Sequence, residues 1–135
     1  MRGPSSSFSF PKSEKLKSLK LFEKLFEDGN SLSKFPFKLL WIKVIPSAEF
    51  PVKVGFAVSS RKIKLAVKRN RMKRLMRESY RLNKQALIDC CIKKEMGLAM
   101  VFLFNGNEPV SYIETKEKII LLLQRLIMLH EKSSE

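Results

Sequence analysis

The chain has 135 residues, 44% of them hydrophobic, which is room for one compact domain with a real core. Its 27 Lys plus Arg against 13 Asp plus Glu leave a formal charge of +14, an excess that folding does not need and that points to a polyanionic partner. The adjacent Cys90 and Cys91 suit neither an ordinary disulfide nor spaced metal ligands, and the single histidine, His130, lies near the C-terminus, so a reducing compartment is expected and zinc is not.

Residues 1–11, rich in Ser, Gly and Pro, read as a flexible lead that could dock through Phe8 and Phe10. They lack the apolar core of a secretory signal, and no apolar run approaches the roughly 20 residues needed to span a bilayer, so a cytoplasmic protein is expected. Residues 12–130 are expected to form the single domain, with 131–135 a loose tail.

From Ser18 to Asp28, Leu19, Phe22, Leu25 and Phe26 keep helical spacing, with Ser18 as cap and Gly29–Asn30 as stop. Phe37 to Ile45 and Val52 to Val58 are β-branched and aromatic runs bounded by Pro46 and Pro51, which predicts two strands joined as a hairpin. In the second strand Val54, Phe56 and Val58 share one face, whereas Lys53, Gly55 and Ala57 form a low face suited to a groove floor.

From Arg61 to Arg81, ten of twenty-one residues are Lys or Arg and Glu78 alone is acidic. Helical spacing sets Met72, Leu75, Met76, Ser79, Asn83, Ala86 and Leu87 on an apolar side, with Lys73, Arg74, Arg77, Arg81 and Lys84 on another. The helix is expected to run to about Lys94. Its apolar face is needed for the core and lacks Trp or Phe, which disfavours a membrane-surface role. Leu98 to Phe104 is unbroken apolar sequence and predicts a central strand buried on both faces. Ser111 to His130 predicts a helix through Ile113, Ile119, Ile120, Leu123, Leu126 and Ile127, with Ser111 and Glu114 placed for a capping box. The class is α/β or α+β, a small sheet covered by helices.

Catalytic constellations are lacking in the sequence. The acids, such as Glu23, Glu27, Asp28, Glu114 and Glu117, fall on helix exteriors among lysines, and the five glycines make no phosphate-cradling motif. The residue types point to RNA binding in two modes. Arg61, Lys62, Lys64 and the cations of the basic helix can hold phosphates without reading sequence. Exposed Phe can stack on unpaired bases, although composition alone favours core packing for Phe22 and Phe26. A DNA-reading helix is a weaker alternative, since long cations suit phosphate better than base edges.

Gly55-Phe56-Ala57-Val58-Ser59-Ser60-Arg61-Lys62 and Ala66-Val67-Lys68-Arg69-Asn70-Arg71-Met72-Lys73-Arg74-Leu75-Met76-Arg77-Glu78 resemble the signature of the protein subunit of bacterial ribonuclease P. Leu21 to Gly29, with its paired aromatics, is similar to that family's first helix. The resemblance implies an α/β (α+β) two-layer sandwich of the type shared with a ribosomal protein domain, in the order α-β-β-β-α-β-α with a left-handed crossover. It implies a cofactor subunit for a catalytic RNA that uses Mg²⁺ to remove the 5′ leader of precursor tRNA, with no small-molecule substrate and no membrane partner. It assigns a leader cleft to Phe22, Phe26, Lys38 and Leu40, with Ala57 as a further candidate. It also assigns Arg69, Asn70, Lys73, Arg74 and Arg77 to leader, catalytic RNA and metal-bound phosphates, and Arg61, Lys62, Lys64, Lys68 and Arg71 chiefly to the catalytic RNA. Leu40 stands where many members carry an aromatic, with Trp41 one place on and facing the other side of the strand. The rival reading is a non-enzymatic RNA-binding module, ribosomal or chaperone-like, on the same fold.

Overall fold

The computed structural model describes residues 15–16, 19–46 and 51–133; the N-terminal lead lies outside them. The elements follow as α1 (Leu19–Asp28), β1 (Asn30–Lys34), β2 (Phe37–Val44), β3 (Val52–Val58), α2 (Ala66–Asn83), α3 (Gln85–Lys93), β4 (Gly97–Phe104) and α4 (Tyr112–Ser133). The four strands form one sheet in the order β1-β2-β4-β3, antiparallel except for the parallel pair β3/β4. No helix among the described residues is long and apolar enough to cross a membrane.

β4 takes the centre, as its unbroken apolar sequence predicts, and that placement overturns the β2–β3 hairpin. Both faces of β4 are covered by helices and both of its edges pair, with β2 and with β3, so it separates the two strands that precede it in sequence. The hairpin partner of β2 is instead β1, through a turn at Phe35-Pro36 whose peptide bond is cis. Asn-Ser-Leu-Ser-Lys has little strand propensity of its own and carries one apolar residue, Leu32. Its strand state comes from the pairing Asn30↔Trp41 through Lys34↔Phe37.

Two clusters fill the faces of the sheet. On one side Phe37, Leu39, Val52, Val54, Met100, Phe102 and Phe104 pack against Met72, Met76 and Tyr80 of α2, Leu87 and Cys91 of α3, and Ile119, Leu122, Leu123 and Leu126 of α4. On the other side Leu40, Ile42, Ala99 and Val101 pack under Leu25, with Leu21 and Phe22 at the margin. α1 starts beside the β3 edge, where the Leu16 amide donates to the Val54 carbonyl at 3.0 Å, and ends at the opposite edge, where Asn30 opens β1. It therefore crosses the sheet. At the crossing Gly55 lets α1 approach closely: a Cβ there would stand 2.8 Å from the tip of the Phe22 ring and push it outward.

The basic helix ends at Asn83 rather than continuing to Lys94. Ser79 Oγ donates to the Leu75 carbonyl at 2.9 Å and Asn83 Nδ2 to the Ser79 carbonyl at 2.8 Å, so side chains compete for the carbonyls of the last turns. The chain bends at Lys84, which is buried at the joint instead of joining the cationic face, while Ala86 becomes exposed. On α4, Ser111 Oγ accepts from the Glu114 amide at 3.1 Å, and the Glu114 carboxylate pairs with Lys118. Ile113 is exposed in spite of its periodic spacing, while Thr115 in the same turn is buried.

The approach to α2 is held at three points. Ile63 inserts into the core. Lys62 Nζ donates to the Asn105 carbonyl at 2.8 Å, and Arg69 Nη1 donates to the carbonyls of Ile63 at 2.9 Å and Lys64 at 2.7 Å. Leu65 provides no side-chain cap, so Lys62, Ile63 and Arg69 hold the segment in place. Removing two charge-assisted bonds of this kind costs about 1–2 kcal/mol at a half-exposed site. Arg69→Ala should therefore lower unfolding free energy in urea by about that amount, whereas Arg71→Ala, fully on the surface, should change it by less than about 0.5 kcal/mol.

Candidate nucleic-acid interface

α2 presents its cations because its other face is committed to the core. Met72, Met76, Ser79 and Tyr80 are buried, and between them Arg71 and Arg74 are exposed while Lys73 and Arg77 are half-buried. Val67, Asn70, Arg71, Lys73, Arg74 and Arg77 line an open trough of about 550 Å³ along the helix. Arg61, Lys62, Lys64 and Lys68 extend the same surface around the N-terminal end, all of them exposed.

Little within the chain neutralises this surface. Among the described residues, ion pairs are present for Lys68, with Glu108 at 3.7 Å, and for Arg81, which takes Glu78 with two nitrogens. That bond to Arg81 holds the Glu78 carboxyl below its ordinary range. The first turn of α2 has no acid and carries Lys68 and Arg69, so its cations oppose the helix dipole. An anion bound there would relieve both the dipole and the mutual repulsion.

A second, smaller groove of about 200 Å³ opens between α1 and the outer edge of β3, lined by Lys15, Phe22, Val54, Gly55, Phe56 and Arg77. Phe22 is half-buried: its ring fills the space left by Gly55 and one side remains at the groove. Phe26, one turn on, is 52% exposed, which is unusual for a helical Phe. Leu40 is buried beneath α1 and Lys38 is half-buried on β2. Neither lines the groove at β3, because β4 lies between the two strands.

The register nevertheless joins these positions. Leu40, Val101 and Gly55 make one row across the sheet, and Lys38, Leu103 and Ala57 make the next row on the same face. α1 covers the first row. The second is left partly open, and Leu103 is the residue of β4 that is not fully buried. The row lies one step from the sheet end where Lys62 meets Asn105. Leu103 is thus a candidate floor residue that sequence alone does not flag, since an all-apolar strand reads as buried throughout; the low face of Gly55 and Ala57 is the signal that points there. Arg77 lines both the trough and the groove and joins the two regions.

Comparison with known proteins agrees with this architecture. A family model described as Ribonuclease P matches residues 10–126. The ribonuclease P protein component of Chlorobium phaeobacteroides is 41% identical over 86 residues, covering 62% of this chain and 59% of that protein. The component from Pseudomonas putida strain GB-1 is 34% identical over 97 residues, covering 70% and 71%. Among solved structures, the Thermotoga maritima RNase P protein matches with a TM-score of 0.64 at 29% identity, covering 83% of this chain and 96% of that one. A Staphylococcus aureus RNase P protein shares the fold, with a TM-score of 0.65 at 17% identity over 85% of this chain and 96% of the other. A core that fixes one face of a cationic helix, an aromatic helix laid across a four-stranded sheet, and a family match over most of the length lead to one conclusion: the chain belongs to the Ribonuclease P protein family.

Proposed function

We propose that this chain is the cytoplasmic protein subunit of ribonuclease P, with residues 12–130 as its RNA-binding domain, and that it binds both the catalytic RNA and the 5′ leader of precursor tRNA. The observation that carries the reading is the continuity of two surfaces of different chemistry. A cationic trough on α2 meets, at Arg77, a groove of mixed lining in which the Phe22 and Phe56 rings stand beside Lys15. Phosphates fit the first and unpaired bases the second. Arg61, Lys62, Lys64, Lys68 and Arg71 face the catalytic RNA in this reading. Asn70, Lys73, Arg74 and Arg77 stand between that RNA and the leader, and Phe22, Phe26, Lys38 and Leu40 border or underlie the leader's path. Arg69 has a double task, tying the approach loop while adding charge.

The protein supplies binding, while bond cleavage belongs to the RNA. Among the described residues no three of His, Cys, Asp and Glu gather as metal ligands, and the cationic face repels a divalent ion. Mg²⁺ would be held by the phosphates of the RNAs instead, where it would supply activation of water and charge balance at the scissile phosphate. A protein surface that touches both RNAs lowers their repulsion, so precursor is held at modest Mg²⁺.

The direct test is cleavage of a precursor tRNA by a bacterial ribonuclease P RNA at low Mg²⁺, with and without the protein. Protein-dependent release of the leader is expected; no stimulation with the cognate RNA would replace this reading with a general RNA-binding module. Phe22→Ala should weaken holoenzyme affinity for precursor by roughly 5- to 100-fold, the range of one stacked base, and only when the leader reaches the groove. Arg71→Ala should weaken assembly with the catalytic RNA and reduce the slope of log affinity against log salt by about 1. Sulfate or phosphate should raise the melting temperature of the free protein, because anions selective for the folded cationic face stabilise it by mass action.

A further inference from the structure

Phe56 faces the α2 side of the sheet from β3, and its ring packs against the core. It lies parallel to Phe102, with centroids 5.9 Å apart and planes 9° apart, and meets Tyr80 edge-on at 6.1 Å. Phe102 and Tyr80 are fully buried and pack on each other at 6.0 Å, so the half-buried Phe56 ring rests against rings that the core holds in place. Over that ring stands the guanidinium of Arg77, its carbon 5.9 Å from the centroid.

An arginine on a helix surface ordinarily samples many rotamers, and ordering it on binding carries an entropic cost. A guanidinium resting on a core-packed aromatic ring is ordered beforehand by cation–π attraction and keeps its N–H edge available for bidentate contact. Arg77 is also the side chain that lines both the α2 trough and the α1/β3 groove. We propose that Phe56 is a positioning residue: it holds Arg77 at the junction of the two grooves, so that an RNA strand leaving the aromatic groove meets a preset guanidinium where it enters the cationic trough. This rests on the leader-binding reading above and adds to it the residue that sets the arginine.

Two measurements test it. In the free protein, the Arg77 side-chain Nε–H resonance should be shifted upfield by the ring relative to that of exposed Arg71, should lose the shift in Phe56→Leu and should keep it in Phe56→Tyr. An unshifted Arg77 signal in the wild-type protein overturns the proposal without any variant. In the holoenzyme, Phe56→Leu should weaken affinity for leader-bearing precursor by about fivefold, the size of one partly desolvated cation–π contact, and leave affinity for mature tRNA unchanged. The loss should vanish in an Arg77→Gln background, and Phe56→Tyr should restore binding. A loss equally large with and without Arg77, or equal for precursor and mature tRNA, overturns the positioning role. If wild-type holoenzyme shows no leader dependence while the Nε–H shift is present, the leader reading fails and the Phe56–Arg77 contact stands.

Discussion

The fold is governed by a helix that has to be two things at once. One side of α2 supplies Met72, Met76 and Tyr80 to the core, and the other side holds cations with few acids near them. Self-repulsion on the second side works against the packing on the first. The structure answers with a clamp: α2 lies across β3 and β4 and is flanked by α4, whose Ile119, Leu122, Leu123 and Leu126 are buried in the same cluster. Arg69 and Ile63 extend the clamp into the approach loop, so that Arg61, Lys62 and Lys64 are displayed by a tied segment and not by a free one.

The opposite face of the sheet is made by subtraction. α1 crosses from the β3 edge to the β1 edge and covers the row Leu40–Val101–Gly55, leaving Lys38–Leu103–Ala57 partly open beside it. Rows in a sheet span neighbouring strands at about 4.8 Å each, so the open row is broad enough for a base and ends near the cationic loop. Gly55 admits the Phe22 ring and thereby sets how closely α1 approaches the sheet. Phe56 lies on the other face of β3, against Tyr80 and Phe102, and carries Arg77. Successive residues of one edge strand thus organise the aromatic groove and the start of the basic trough.

Much of this is written in local patterns. The apolar run of β4, the helical spacing in α4 with Ser111 as cap, and the two-faced α2 are legible because periodicity and charge agree with the environment each element enters. β1 is not legible, since its strand state belongs to its pairing with β2 and not to Asn-Ser-Leu-Ser-Lys itself. Nor is the pairing order: strand sequences predict strands, whereas which strands β4 pairs with is settled by long-range contacts. At the site, composition identifies the cations but not their division of labour. The bonds from Arg69 to two loop carbonyls and the seat of Arg77 on Phe56 are long-range geometry, and residue type alone assigns both arginines to phosphate. Phe22 packs on Gly55 with one side at the groove, whereas the half-exposure of Phe26 departs from the core packing that composition favours.

On the proposed function, the protein contributes binding that only a leader-bearing RNA can collect. The most direct measurement is the affinity of precursor and of mature tRNA for the catalytic RNA at one fixed, modest Mg²⁺ concentration, each with and without this protein. A gain concentrated on the precursor and shrinking as the leader is shortened is the predicted result. Equal gains for precursor and mature tRNA would contradict the account, leaving the cationic face as a general RNA clamp.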